Sequence, residues 1–153
     1  SLLEDVSAKY AGVAEESGIR LATPYRWNPD HQVCTNRDRI EQILFILLDN
    51  AVKYTPSGGC ITLDSVLDLA SGKVWIRVED TGIGIAAEDL PHVFERFYKA
   101  DKSRRPTSGT GLGLSIAREI LDALGEEITV ESTPGRGTAF RFSLALAEPK
   151  ESV

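Results

Sequence analysis

The feature that most constrains the fold of this chain is a long amphipathic segment at residues 36–54. Apolar side chains recur there at the i, i+3, i+4 and i+7 spacing of a helix with one buried face. The apolar stripe consists of Ile40, Ile43, Leu44, Leu47, Leu48 and Ala51. Thr35 and Asp38 resemble a capping box at its start, and Pro56 and Gly58 follow its end. The segment is therefore predicted to be a helix that packs against other elements through a single face.

Alternating segments joined by short turns predict the strands. CITLDSVL and KVWIRVED form one predicted hairpin, and EITVES and TAFRFSLAL form another across the tight turn TPGRG. The remaining elements are predicted as helices at 2–17 and 112–124, short helical turns at 86–98, and short strands at 19–23 and 31–35. Helices and hairpins mix without strict βαβ alternation. We therefore expect an α/β two-layer sandwich, with helices on one face of a mixed sheet.

Composition narrows the class of protein. The 153 residues, 42% of them apolar, suffice for one globular domain, expected at residues 1–146 with a flexible tail at 147–153. The net charge of −6 argues against a nucleic-acid partner. The longest apolar run, ILFILL, is too short to span a bilayer and no signal peptide is evident, so we expect a cytoplasmic domain that does not itself contact membrane. Cys34 and Cys60 lack metal or redox spacing.

Three glycines precede the predicted helix at 112–124. Gly109, Gly111 and Gly113 lay bare backbone at a helix N-terminus, where unpaired N–H groups and the helix dipole favour an anion such as phosphate. Leu114 stands where a Rossmann fingerprint needs its last glycine, and no P-loop pattern occurs. A flexible loop with a helix cap explains the glycines alone equally well.

The stretch before these glycines is basic, although the chain is acidic overall. Phe94 and Phe97 can anchor it, and its cations are Lys99, Lys102, Arg104 and Arg105. A basic cluster beside a candidate anion site suits a triphosphate, whereas the simpler alternative is a solvated charged loop.

A second glycine pair follows the strand KVWIRVED. Asp80 stands at the strand end, next to Gly82 and Gly84 in EDTGIGI. A carboxylate at this place can accept a hydrogen bond from the exocyclic amino group that adenine has and guanine lacks at the matching position. The alternative is a turn aspartate that caps its own backbone.

One flank of the long helix carries polar side chains beside the apolar stripe. At 100° per residue, Ile46, Asn50 and Lys53 fall together on that flank. Asn50 offers a neutral oxygen suited to a Mg²⁺ ion that already carries phosphate oxygens, Lys53 can meet a phosphate, and Tyr54 can cover an aromatic base. An ordinary polar flank with a snorkelling lysine is the alternative.

The order and spacing of these stretches resemble one family. DNAVKYT resembles an N box, DTGIGI a G1 box, FERFYKAD an F box, GTGLGL a G2 box and GRGT a G3 motif. From about residue 3 to 146, the chain is similar to the catalytic ATP-binding domain of bacterial sensor histidine kinases, in the GHKL superfamily. The resemblance implies a Bergerat-type α/β sandwich that binds ATP between the long helix and a mobile lid at residues 99–110.

The resemblance also implies roles for individual residues. Asn50 would hold Mg²⁺ and, with Lys53, form the catalytic pair at the phosphates, while Asp80 would read the adenine amino group. Thr138 would support the adenine side through water. The implied ATP site comprises Asn50, Lys53, Tyr54, Asp80, Gly82, Gly84, Ile85, Lys99, Arg104, Gly109, Thr110, Gly111, Leu112, Gly113, Leu114 and Thr138.

The family reaction is phosphoryl transfer from ATP to a histidine on a helical dimerisation domain, and then to an aspartate on a response regulator receiver domain. Such transfer depends mostly on positioning and charge stabilisation. His31 and His92 lie outside any setting that resembles the acceptor histidine. We therefore expect the acceptor helices upstream, in a parent protein that can also carry a membrane sensor.

One position departs from the family pattern. Family N boxes usually read N-L-L-x-N-A, but this chain has ILLDNA, with Ile46 at the first asparagine, where ATP-hydrolysing relatives such as gyrase and Hsp90 tend to have glutamate. Losing a polar contact to a charged site costs about 1.5–3 kcal/mol, which predicts weaker Mg²⁺-ATP use and negligible ATPase activity. For Ile46 itself, the alternative is a tolerated apolar contact. For the domain, the alternatives to a histidine kinase are a degenerate nucleotide-binding module and a serine kinase of the anti-sigma type.

Overall fold

The computed structural model, which describes residues 2–24, 37–68, 70–96 and 113–145, contains helices packed on one face of a five-stranded sheet. The helices are α1 (Leu2–Glu16), α2 (Arg37–Tyr54) and α3 (Gly113–Leu124). The strands are β1 (Arg20–Ala22), β2 (Cys60–Asp68), β3 (Lys73–Asp80), β4 (Ile128–Thr133) and β5 (Gly137–Ala145). A short 3₁₀ turn spans Leu90–His92. The predicted two-layer α/β sandwich is confirmed.

The sheet is mixed. Its strand order is β1-β2-β3-β5-β4, with β1 parallel to β2 and the other pairs antiparallel. Both predicted hairpins form, and they meet where β3 pairs with β5. This pairing places the end of β3 against the beginning of β5, and therefore Asp80 directly opposite Thr138.

The core lies between the sheet and the helices. The six stripe positions predicted for α2 are the six buried residues of that helix. On β3, Val74, Ile76 and Val78 alternate inward to meet them, because successive strand residues point to opposite faces. Each buried Leu or Ile side chain contributes about 1.5–3 kcal/mol, so this contact fixes how α2 lies on the sheet.

The ends of α1 and α2 follow local chemistry. Gly18, just after α1, has a positive φ of 72°, a conformation that commonly ends a helix. The predicted end of this helix near Gly18 is confirmed. After α2, the Thr55 hydroxyl donates a hydrogen bond to the Ala51 carbonyl at 2.6 Å, and Pro56 follows. The predicted strand at 31–35, the Thr35 cap and the tail at 147–153 lie outside the described residues.

Candidate functional site

Asp80 is a buried carboxylate at the end of β3, with only 5% of its surface exposed. Its Oδ1 accepts hydrogen bonds from the backbone N–H groups of Gly82 at 2.8 Å and Thr138 at 3.2 Å. Burial raises the pKa of Asp80 above its usual value, the two backbone hydrogen bonds oppose that rise, and the nearby charge of Glu79 adds to it. Oδ2 makes no hydrogen bond to the described residues, so it remains an available acceptor.

The turn after Asp80 is packed tightly against the end of α2. A Cβ atom on Gly82 would collide with the Tyr54 carbonyl oxygen and lie 2.9 Å from Asp80 Oδ1. The next residue, Ile83, donates its N–H to that same Tyr54 carbonyl at 3.2 Å. Glycine is therefore required here for the close approach of two backbone segments, which joins the predicted adenine reader to the predicted phosphate-binding helix.

The beginning of β5 approaches β3 with equal closeness. Gly137 has a φ of 117°, and a Cβ atom there would collide with the Asp80 carbonyl oxygen. A side chain at this position would separate the strands, and Thr138 would no longer face Asp80. Gly84, with a φ of 77°, lies in the same way against the Thr133 backbone. At both Gly84 and Gly137, the atoms that an added Cβ would meet belong to the protein backbone.

A polar row crosses the sheet from Asp80. Thr138 pairs with Asp80 on β3 and with Ser132 on β4, so the three side chains share the face that the helices cover. Ser132 Oγ lies 2.9 Å from Thr138 Oγ1 and accepts the backbone N–H of Ile85 at 2.7 Å. Ser132 was not among the predicted site residues. The signal that indicates it is its position opposite Thr138 across the TPGRG turn.

The polar flank of α2 faces the beginning of α3. Asn50, Lys53 and Tyr54 are half-buried in the last turns of α2. Ile46 Cγ2 lies 3.4 Å from where a Cβ atom on Gly113 would stand. Ile46 is also partly buried and packs against the core, although the helical wheel placed it outside the apolar stripe. This packing favours the interpretation of Ile46 as a tolerated apolar contact.

Of the two predicted anchors of the F-box stretch, Phe94 is packed as expected and Phe97 lies outside the described residues. The Phe94 ring packs edge-on against Phe140 with centroids 6.1 Å apart, and the Arg118 guanidinium lies 5.6 Å from its centroid. His92 is exposed and lies 2.7 Å from a Glu95 carboxylate oxygen, which fits the structural role expected of it.

Contacts thus connect the described part of the predicted ATP site. Backbone contacts link Tyr54 to Gly82, Asp80 pairs with Thr138, and Ile46 brings the α2 flank to Gly113. Ile85 and Leu114 are partly buried against the core. The predicted site residues that lie outside the described residues are Lys99, Arg104, Gly109, Thr110, Gly111 and Leu112.

A groove runs along the sheet face that the helices leave uncovered. Its volume is about 460 Å³, and Trp75, Arg77 and Arg141 line it. Arg77 and Arg141 form ion pairs with Glu79 at 2.8 Å and Glu131 at 2.7 Å. The polar flank of α2 does not line this groove, but Asp80, Ser132 and Thr138 do, so one end of the groove reaches the strand ends where the predicted adenine reader lies.

No helix in the described ranges is long and apolar enough to cross a membrane. Within the same ranges, no group of three or more His, Cys, Asp and Glu side chains is arranged to hold a metal ion.

Comparison with protein families gives a match over residues 35–148 to the family described as histidine kinase-, DNA gyrase B-, and HSP90-like ATPase. The sensor histidine kinase YkoH of Bacillus subtilis (strain 168) is 49% identical over 108 residues, which cover 70% of this chain and 23% of that protein. The chain therefore spans about a quarter of the length of this relative.

Two solved structures match the fold. Full-length ShkA in complex with AMPPNP superposes with a TM-score of 0.81 at 30% identity, covering 97% of this chain and 30% of that one. The nucleotide-free catalytic domain of the histidine kinase ThkA gives a TM-score of 0.78 at 30% identity, covering 97% of this chain and 93% of that domain.

Proposed function

Since the chain belongs to the family of histidine kinase-, DNA gyrase B- and HSP90-like ATPases and has the fold of a histidine kinase catalytic domain, we propose that residues 1–146 are the catalytic domain of a sensor histidine kinase. In this proposal the domain binds ATP and transfers its γ-phosphoryl group to a histidine on a separate dimerisation domain. A response regulator receiver domain then accepts the phosphoryl group on an aspartate. Because ATP is an intracellular substrate, the domain would work in the cytoplasm, including within a membrane-anchored parent.

The observation that carries the proposal is the state of the Asp80 carboxylate. Two backbone N–H groups hold Oδ1 in place, and Oδ2 makes no hydrogen bond to the described residues. A preorganised acceptor suits the amino group of adenine, since no side-chain rearrangement is needed when the base binds. The AMPPNP in the ShkA structure is a ligand of that protein, and it supports an ATP-type ligand for this one.

The phosphates would lie between α2 and the N-terminus of α3. The first turn of α3, at Gly113 and Leu114, offers backbone N–H groups without intrahelical partners and the positive end of the helix dipole. Lys53, in the last turn of α2, would supply a cation toward the same space. Within the described residues, the proposed site would thus receive positive charge from α2 and from the N-terminus of α3, and the basic stretch with Lys99 and Arg104 would add to it.

Asn50 fits the ion that accompanies ATP. One neutral amide oxygen on a half-buried helix flank suits Mg²⁺, which keeps several waters and binds phosphate oxygens in preference to a full set of protein ligands. When bound, the ion would neutralise charge on the transferred phosphoryl group. The role of this chain is then to hold the adenine at Asp80 and the phosphates near Lys53, so that the γ-phosphorus is presented to the acceptor.

Transfer to the dimerisation domain of the same parent protein tests this function. The chain is incubated with Mg²⁺ and γ-labelled ATP and that domain, and the acid stability of the labelled product is measured. We expect an acid-labile phosphohistidine on the dimerisation domain. An acid-stable phosphoserine would support the anti-sigma type of kinase, and ATP binding without any transfer would support a degenerate nucleotide-binding module.

A further inference from the structure

The Ser132 hydroxyl stands at the junction of three hydrogen-bonding partners. Its Oγ lies 2.7 Å from the backbone nitrogen of Ile85, 2.8 Å from the Gly137 carbonyl oxygen and 2.9 Å from Thr138 Oγ1. One partner can only donate, one can only accept, and the Thr138 hydroxyl can do either. These contacts lie beside Asp80, because Thr138 is the strand partner of both Asp80 and Ser132.

Counting protons gives the direction of each hydrogen bond. A serine hydroxyl has one proton and two lone pairs. The Gly137 carbonyl takes the Ser132 proton, since a carbonyl oxygen has none of its own, and the Ile85 N–H occupies one lone pair of Ser132. The other lone pair is then available to the Thr138 hydroxyl proton. This is the one assignment in which all three contacts are hydrogen bonds.

The assignment leaves Thr138 Oγ1 without a proton for any ligand. Thr138 is buried, with 7% of its surface exposed, and Ser132 is the one described contact of its hydroxyl. Its unused lone pairs can therefore only accept. Asp80 Oδ2, opposite Thr138 on β3, is also an acceptor. The proposed adenine end thus presents two acceptors and no hydroxyl donor.

We propose that Ser132 is a positioning residue that locks Thr138 Oγ1 as an acceptor and thereby makes the site select a 6-amino purine over a 6-oxo purine. The inference rests on the proposed function, and it adds a determinant of base selectivity outside the family motifs quoted above. The amino group of adenine can donate directly to an acceptor at this position. The 6-oxo group of hypoxanthine needs a donor, and the Thr138 hydroxyl cannot turn to supply one while Ser132 holds its proton.

Binding of ADP and IDP tests the inference, because these nucleotides differ at the 6-position without requiring hydrolysis. Calorimetric dissociation constants are measured for the wild-type chain, Ser132→Ala and Ser132→Thr. In Ser132→Ala the Thr138 hydroxyl is free to rotate and donate. We expect the ratio of IDP to ADP dissociation constants to fall by about 3–10-fold, the worth of one hydrogen bond. Ser132→Thr retains a hydroxyl, and we expect it to keep the wild-type ratio.

Thr138→Val distinguishes an effect of Ser132 on base selectivity through Thr138 from a general loss of structure. If Ser132 acts through Thr138, adding Ser132→Ala to Thr138→Val changes the ratio no further. Ser143→Ala is the matched control, because Ser143 Oγ also joins a backbone N–H, that of Glu127 at 3.0 Å, to an acceptor, Glu126 Oε1 at 2.8 Å. We expect Ser143→Ala to leave the ratio unchanged.

The outcomes distinguish this inference from the proposed function. Failure of the wild-type chain to bind ADP would overturn the proposed function. Binding of ADP with the same IDP to ADP ratio in wild type and Ser132→Ala would overturn the role of Ser132 alone. A ratio that falls equally in Ser143→Ala would also overturn it, because loosening of the sheet edge would then be the cause.

Discussion

Asp80 and Thr138 face each other across β3 and β5, and the Thr138 backbone N–H donates a hydrogen bond to Asp80 Oδ1 at 3.2 Å. The same oxygen accepts the Gly82 N–H at 2.8 Å. One carboxylate oxygen therefore holds the turn together, while the other makes no hydrogen bond to the described residues and can accept one from the ligand proposed above. The two interpretations that the sequence allowed for Asp80, a turn cap and a base reader, are compatible because they use different oxygens.

Asp80→Asn is expected to stabilise the unliganded chain at neutral pH. Burial raises the pKa of Asp80, so the charged carboxylate costs stability above its folded-state pKa, whereas asparagine keeps an oxygen for both N–H groups without a charge. The gain should shrink as the pH falls toward about 4 and below, where the carboxyl is protonated in the folded and the unfolded state. Thermal unfolding of both chains between pH 3 and 7 measures this. A lower unfolding midpoint for Asp80→Asn at pH 7 would contradict it.

Gly82→Ala is expected to lower the free energy of unfolding by about 1–3 kcal/mol. The added methyl group would collide with the Tyr54 carbonyl oxygen and disturb the hydrogen bond between Ile83 and Tyr54. Gly12→Ala is the matched control, because a Cβ atom on Gly12, in α1, would meet nothing within 4 Å. Replacing this helical glycine by alanine should stabilise α1 by about 0.5–1 kcal/mol. Urea unfolding measures both. Equal effects of the two substitutions would show that the contact with Tyr54 carries no cost.

Glu126→Ala is expected to destabilise the fold by about 2–4 kcal/mol, because it removes a nearly buried carboxylate from several partners. Glu126 accepts hydrogen bonds from Lys73 Nζ at 2.6 Å, Ser143 Oγ at 2.8 Å and the Ala145 N–H at 2.8 Å. Glu131, whose ion pair with Arg141 is exposed, is the control, and its change to alanine should have little effect. A loss no greater for Glu126→Ala than for Glu131→Ala in urea unfolding would refute the prediction.

Ile46→Asn tests the departure from the family N box through two quantities, the affinity for nucleotide and the free energy of unfolding. The sequence predicts higher affinity for Mg²⁺-ATP when the asparagine is restored. The structure predicts a loss of about 1–2 kcal/mol in stability, because Ile46 packs against the core and close to Gly113. Ile46→Val keeps an apolar side chain and should cost less than Ile46→Asn without raising affinity. Unchanged affinity in Ile46→Asn would refute the prediction that Ile46 weakens nucleotide binding. Unchanged stability would show that the packing of Ile46 does not contribute to the free energy of unfolding.

The helices and strands followed from periodicity, whereas several long-range side-chain contacts, in the candidate site and elsewhere, did not. The stripe of α2 was predictable residue by residue, because a 3.6-residue period assigns each position to a face. The local D-x-G pattern likewise indicated Asp80. Ser132 and Glu126 were missed because their partners lie across a hairpin or beyond a loop. Alternation gives the face of a strand residue, but the pairing register decides which side chain stands opposite.

The most direct test of the central claim is a calorimetric titration with a non-hydrolysable ATP analogue, with and without Mg²⁺, on the wild-type chain, Asp80→Asn and Glu79→Gln. Glu79 precedes Asp80 but lies on the opposite face of β3, which makes it the matched control. We predict micromolar binding that strengthens with Mg²⁺, weakens by about 10–100-fold in Asp80→Asn and is unchanged in Glu79→Gln. Equal binding to the wild-type and Asp80→Asn chains, or no binding to the wild-type chain, would contradict the claim that Asp80 anchors ATP in this domain.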